Sequence, residues 1–187
     1  LKTLCDLDIL EREVPPTEKN IETSKKGQYR IKDNFLAFWF RFVYPMRSFI
    51  ESDHPEIAMT KLKTGFIPNH VGYVYEDICR QKMWELNAQG KLPFLFDRVG
   101  RWWGGKDTEI DIVAIDTTDR SKIIFGECKF HQNVPMQLSE LHQLKEKAAV
   151  VPWGNANRDE YFALFCISGY SEDLQQLAQE DSHLLLM

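Results

Sequence analysis

TEIDIVAIDTTDRSKIIFGECKF, residues 108–130, decides how this chain folds. Two runs rich in isoleucine, valine and phenylalanine flank the polar segment TTDRS, and side chains in a strand alternate between its faces. In the second run Ile123, Phe125, Glu127 and Lys129 share one face, and Ile124, Gly126, Cys128 and Phe130 the other. In the first, Glu109, Asp111, Val113 and Ile115 share a face, against Ile110, Ile112 and Ala114. Both strands are apolar on both sides except near one end, as expected of a sheet covered by helices on each face. The short turn predicts an antiparallel hairpin. Pairing around it sets Asp111 opposite or nearly opposite Glu127, with Lys129 beside them.

Two carboxylates that close repel unless a cation lies between them or one is protonated. A hard divalent ion with oxygen ligands, Mg²⁺ or Mn²⁺, suits such a pair. Glu76, in the helical stretch before the hairpin, can supply a third carboxylate. Lys129 would then position a nucleophile or balance charge. The simpler reading is a plain ion pair of Glu127 with Lys129 at an exposed strand end, stabilising by ~0–1 kcal/mol. With 15 Glu and 14 Lys in 187 residues, about one E-x-K tripeptide arises by chance, so context has to separate the two readings. Gln143 and Lys147, on the following helix, read first as a solvated face and second as phosphate contacts.

The chain has 187 residues, 43% of them hydrophobic and 12% aromatic, enough for one domain with a small appendage. No apolar run reaches the ~18 residues of a membrane span, and no charged-then-apolar leader is visible. The first residue is Leu, which reads as a fragment of something longer. Cysteines 5, 79, 128 and 166 are scattered without a C-x-x-C pair, which suits reduced thiols in a cytoplasmic protein rather than zinc or disulfides. The net charge of −5 hides a segment, residues 19–47, that carries +5, leaving −10 for the remainder. Lys25, Lys26 and Arg30 lie in it and are the candidate phosphate contacts of an anion-binding face; a solvated charged surface is the plain alternative. RWWGGK, residues 101–106, sets two tryptophans between Arg101 and Lys106 at a hairpin tip. That combination can stack bases and hold phosphate, or the tryptophans can simply fill the core.

Along the chain, residues 1–50 read as a helix end, two short strands (ILEREV and QYRI) joined by a turn-rich basic connector, and an aromatic helix, NFLAFWFRFVYP, capped by Asp33. The two strands resemble the wing of a winged helix without the helices that precede it. Residues 51–69 read as a helical linker punctuated by Pro55 and Pro68, and residues 70–187 as an α/β domain of order α-β-β-β-α-β-α-β. Its helices start at His70, near Pro135 and after the cap Ser171; FLFDRVGRWW is its first strand and HLLLM its last.

YED in a helix, then EIDIVAID and GECK, resembles the PD-(D/E)XK nuclease superfamily. More closely, YRIKDNFLAFWFRFV with GRWWGGKDTEIDIVAID and IIFGECKF is similar to the C-terminal domain of unknown function of archaeal-type AAA ATPases. The resemblance covers nearly the whole chain. It implies a restriction-endonuclease-like mixed central sheet flanked by helices over residues 70–187, preceded by a partial winged helix and a helical connector. It also implies Asp111 and Glu127 as metal-binding acids, Lys129 as the catalytic lysine and Glu76 as the helix carboxylate. Ile110 stands where the superfamily pattern has proline. The implied activity is Mg²⁺- or Mn²⁺-dependent hydrolysis of a DNA phosphodiester by water, with no covalent enzyme intermediate. The implied partners are DNA and an upstream ATPase domain of the same parent chain, with no membrane. No G-x-x-x-x-G-K-[ST] occurs, so no nucleotide site is expected here. The other expectation is a non-catalytic DNA-binding or protein-docking module of such an ATPase.

Overall fold

The computed structural model describes residues 1–105 and 107–187. The chain forms two compact units: Leu1–Glu13 with Gln28–Tyr75, and Val14–Gly27 with Glu76–Met187.

In the first unit, α1 (Lys2–Asp6) leads into β1 (Leu10–Glu13), which pairs antiparallel with β2 (Gln28–Ile31). Arg30 of β2 lies opposite Glu11 and pairs with both Glu11 and Glu13. Asp33 caps α2 (Asn34–Phe38), accepting the Leu36 N–H at 2.8 Å. The aromatic run does not continue as one regular helix. It widens into a π-type turn over Trp39–Val43 and tightens over Tyr44–Met46, where Pro45 lacks the N–H that a continuing ladder needs. α3 (Arg47–Glu51) and α4 (Pro55–Phe66) follow, and Phe38, Phe42, Phe66 and His70 gather their rings at centroid distances of 5.6–6.3 Å. A second wide turn, Ile67–Val71, contains Pro68, so α5 (Gly72–Ala88) starts two residues later than His70.

The second unit takes most of α5 and then runs β3 (Arg98–Gly104), β4 (Thr108–Ile115), β5 (Lys122–Lys129), α6 (Leu138–Ala148), β6 (Asp159–Cys166), α7 (Glu172–Glu180) and β7 (Leu184–Leu186). The strands form one mixed sheet in the order β3-β4-β5-β6-β7, antiparallel from β3 to β5 and parallel from β5 to β7. Helices lie between its parallel strands, as parallel connections require. Val113, Ile115, Ile123, Phe125, Phe162 and Leu164 pack with Leu141, Leu144 and Ala148 of α6 and Leu174 of α7 in one cluster. Ile112, Ala114, Ile124, Ala163 and Phe165 are buried outside that cluster, so both faces of the sheet are covered. Among the described residues no helix is long and apolar enough to cross a membrane.

Three local expectations change. β3 starts at Arg98 rather than Phe94, because the Asn87 amide takes both the N–H and the C=O of Phe96 at 3.0 Å each and removes them from any ladder. Ser171 stands at the start of α7, yet its buried hydroxyl makes no cap bond and has no partner among the described residues. The strict alternation in β4 also fails. Gly100 pairs with Val113 but Trp102 with Ile110, so Asp111 and Ile112 together oppose Arg101 alone. This β-bulge shifts the parity of the strand, and Ile110 joins Trp102, Val113 and Ile115 in one core cluster.

Candidate functional site

The charged end of the hairpin is built on the bulge. β4 and β5 pair as Ile112 with Gly126, so the next step along the two strands brings Asp111 and Glu127 together. The bulge frees the Asp111 carbonyl from the ladder, and Arg80 of α5 donates to it through Nη1 at 3.1 Å. The Asp111 side chain accepts the backbone N–H of Cys128 through Oδ2 at 2.8 Å. Burial, then the charges of Glu127 and Glu76, push the Asp111 carboxyl up to about 7. The three carboxylates therefore share one electrostatic neighbourhood.

Glu127 is 5% exposed. A buried carboxylate needs compensation, and two ammonium groups supply it: Lys129 Nζ is 2.7 Å from Oε1 and Lys147 Nζ is 3.0 Å from Oε2. Burial alone would lower the Lys129 pKa, but the hydrogen bond and charge of Glu127 outweigh it and the net shift is upward. Glu76 is also raised by burial, a shift that Arg101 and Arg80 partly offset. Its Oε2 lies 2.8 Å from Arg101 Nη2 and 3.8 Å from Arg80 Nη1, while Arg80 also binds Asp77. Cys128 turns towards Cys79; that hydrogen bond and burial raise its pKa, so the thiol stays protonated.

Among the described residues no three His, Cys, Asp or Glu side chains form a ready-made metal cage. Mg²⁺ does not require one: it commonly takes one or two protein carboxylates and keeps several waters. Asp111 and Glu127 are oxygen donors of that kind, and the crowding that raises the Asp111 pKa is what a bound cation relieves. The donor chemistry fits the ion, provided that an ammonium gives way on Glu127.

The basic residues fall differently. Lys26 pairs with Glu18 at 2.7 Å and accepts the Trp103 indole N–H through its carbonyl at 3.2 Å. Lys25 is exposed. Arg30 pairs with Glu11 and Glu13 in the first unit. Arg101 turns to Glu76, and Trp102 is in the core with its indole N–H on Thr17 at 3.1 Å. Lys106 lies outside the described residues.

A family model described as "Archaea bacterial proteins of unknown function" (DUF234) matches residues 39–148. The chain belongs to this family. The DUF234 match takes in Glu76, Asp111, Glu127, Lys129 and Lys147, and starts after Lys25, Lys26 and Arg30. An uncharacterized protein of Methanocaldococcus jannaschii, MJECL04, is 35% identical over 165 residues, covering 88% of this chain and 36% of that protein. The chain thus spans about a third of the length of this relative. No solved structure matches this chain.

Two features of the site escaped the sequence. Lys147 looked like part of a solvated helix face, although its place next to Ala148, at the flank of the apolar stripe Leu141, Leu144 and Ala148, was a signal that it borders the sheet. Arg80 and Arg101 had no pattern to mark them as partners of the bulge and of Glu76.

Proposed function

We propose that the unit containing Glu76–Met187 is a restriction-endonuclease-like module that hydrolyses DNA phosphodiesters with Mg²⁺ or Mn²⁺, as the C-terminal part of a longer, ATPase-containing protein. The observation that carries the reading is the half-buried carboxylate of Asp111, crowded by Glu127 and Glu76, with Lys129 2.7 Å from Glu127. Carboxylates whose pKa is perturbed by desolvation and a specific charge partner cluster at functional sites.

In this mechanism Asp111 and Glu127 would hold the ion, with Glu76 as a further carboxylate in the same electrostatic neighbourhood. When bound, the ion would supply Lewis acidity that lowers the pKa of a coordinated water and offsets charge on a phosphoryl oxygen. Lys129 orients the attacking water or neutralises the developing negative charge. The Cys128 N–H keeps the Asp111 carboxylate aimed, and Arg80 holds the bulge that places it. The test is nicking of supercoiled plasmid by the intact protein with Mg²⁺ or Mn²⁺, against a chelator control and Asp111→Asn. Cleavage that survives both controls would belong to a contaminant and would remove the reading.

One observation favours a second reading, a non-catalytic DNA-binding or protein-docking module. Both oxygens of Glu127 already have ammonium partners, so the cluster is charge-compensated as it stands. Plasmid and linear DNA left intact with every divalent ion, with or without an ATPase partner, would give this reading precedence.

A further inference from the structure

Glu127 has one lysine more than the expected E-x-K arrangement. Lys129 is two residues away on the same strand, with its Nζ 2.7 Å from Oε1. Lys147 reaches in from α6, twenty residues along the chain, and binds the other oxygen at 3.0 Å. α6 is capped at its N-terminus and tied down past its C-terminus. The Gln137 N–H is held by the Glu140 carboxylate at 3.0 Å, and Arg158 donates to the carbonyls of Ala148, Val151 and Trp153 at 2.6–3.0 Å just past Lys147. Leu141, Leu144 and Ala148 anchor the same helix in the core. The helix thus delivers the ammonium to one place, while the Lys147 side chain stays 32% exposed.

We propose that Lys147 is a built-in counter-cation of Glu127 that competes with the divalent ion for the same carboxylate and so sets the metal affinity of the site. This rests on the proposed metal-dependent reading. The physical reason is symmetrical: an ammonium that stabilises the bare carboxylate must be displaced, or must repel the incoming cation, when metal binds. An ammonium 3.0 Å from the carboxylate oxygen repels a cation seated on the same carboxylate, so its removal should be felt as roughly a tenfold or larger gain in cation affinity. Lys147 is a positioning and affinity-setting residue in this account, acting through Glu127.

The experiment is calorimetric titration of Mn²⁺ into the intact protein without DNA, for wild type, Lys147→Met, Lys147→Gln and Lys147→Arg. Both neutral variants should bind Mn²⁺ about tenfold more tightly or better, since the like-charge repulsion is gone, and Lys147→Arg should stay near wild type because the charge is kept. A thermal melt of each variant identifies any that fail to fold, and two neutral substitutions of different shape guard against that loss. A merely structural ion pair would lower the melting temperature without tightening metal binding. Wild-type affinity, or weaker binding, in the folded neutral variants overturns the proposal while leaving the metal site standing. No Mn²⁺ binding by wild type or any variant overturns the metal-dependent reading and this proposal with it. Binding that appears only in the neutral variants supports it most directly.

Discussion

The Asp111 carboxylate on β4 accepts the backbone N–H of Cys128 on β5 at 2.8 Å, one residue beyond Glu127. The bond ties the two charged strand ends together at the bulge. It lets the protein keep an acid in a place where burial and two neighbouring carboxylates oppose its ionisation.

This opposition sets a pH dependence. The Asp111 pKa is about 7 in the fold against 3.8 for a free side chain. The folded protein therefore binds more protons than the unfolded chain between these values, so stability falls as pH rises through that window and the loss is complete above about 7. Asp111→Asn keeps an acceptor for the Cys128 N–H and abolishes the charge. In chelator, its melting temperature should gain on wild type as pH goes from 5 to 8. Parallel curves for the two proteins would remove the claim.

Catalysis and metal binding should separate between two substitutions. Asp111→Asn should abolish plasmid cleavage and weaken Mn²⁺ binding, since a charged ligand is lost. Lys129→Ala should cripple cleavage yet leave metal binding no weaker, because an ammonium is not a ligand. Ca²⁺ should bind without turnover, its larger and looser coordination positioning water poorly. A Lys129→Ala protein that cleaves at the wild-type rate would return Lys129 to the role of a structural ion pair.

Gly126 tests the tightness of the sheet under the site. A Cβ there would lie 2.8 Å from the Ile112 Cβ and 3.1 Å from the Ala163 carbonyl oxygen. Both neighbours are in paired strands and cannot retreat, so Gly126→Ala should cost about 1–3 kcal/mol by overpacking. Urea denaturation measures it; an unchanged midpoint would mean that the strands separate easily here.

For DNA binding, Lys25 and Lys26 carry a quantitative expectation. Two free lysines on phosphate would contribute about 1.8 to the slope of log K against log salt. Lys26 is held by Glu18 at 2.7 Å, so replacing both with alanine should flatten the slope by only about 1. Filter binding across a salt series reads this directly. No change in slope or affinity would assign both residues to the solvated surface.

The hairpin, its element order and the meeting of Asp111 with Glu127 were legible in residues 108–130, because a short turn fixes the register of the two strands it joins and is a local property of the chain. The Asp33 cap was legible for the same reason. The bulge was not: it depends on how β3 and β4 slide past each other and on Arg80 arriving from a helix 31 residues earlier to take the freed carbonyl. The second lysine on Glu127 was equally invisible. A helix face looks solvated in sequence, and only the packing of Leu141, Leu144 and Ala148 onto the sheet decides that Lys147 faces a buried carboxylate. Residue type and spacing determined which charges this protein would place at the end of its sheet. The tertiary structure decided which of them touch, because burial removes the water that would otherwise let each charge stand alone.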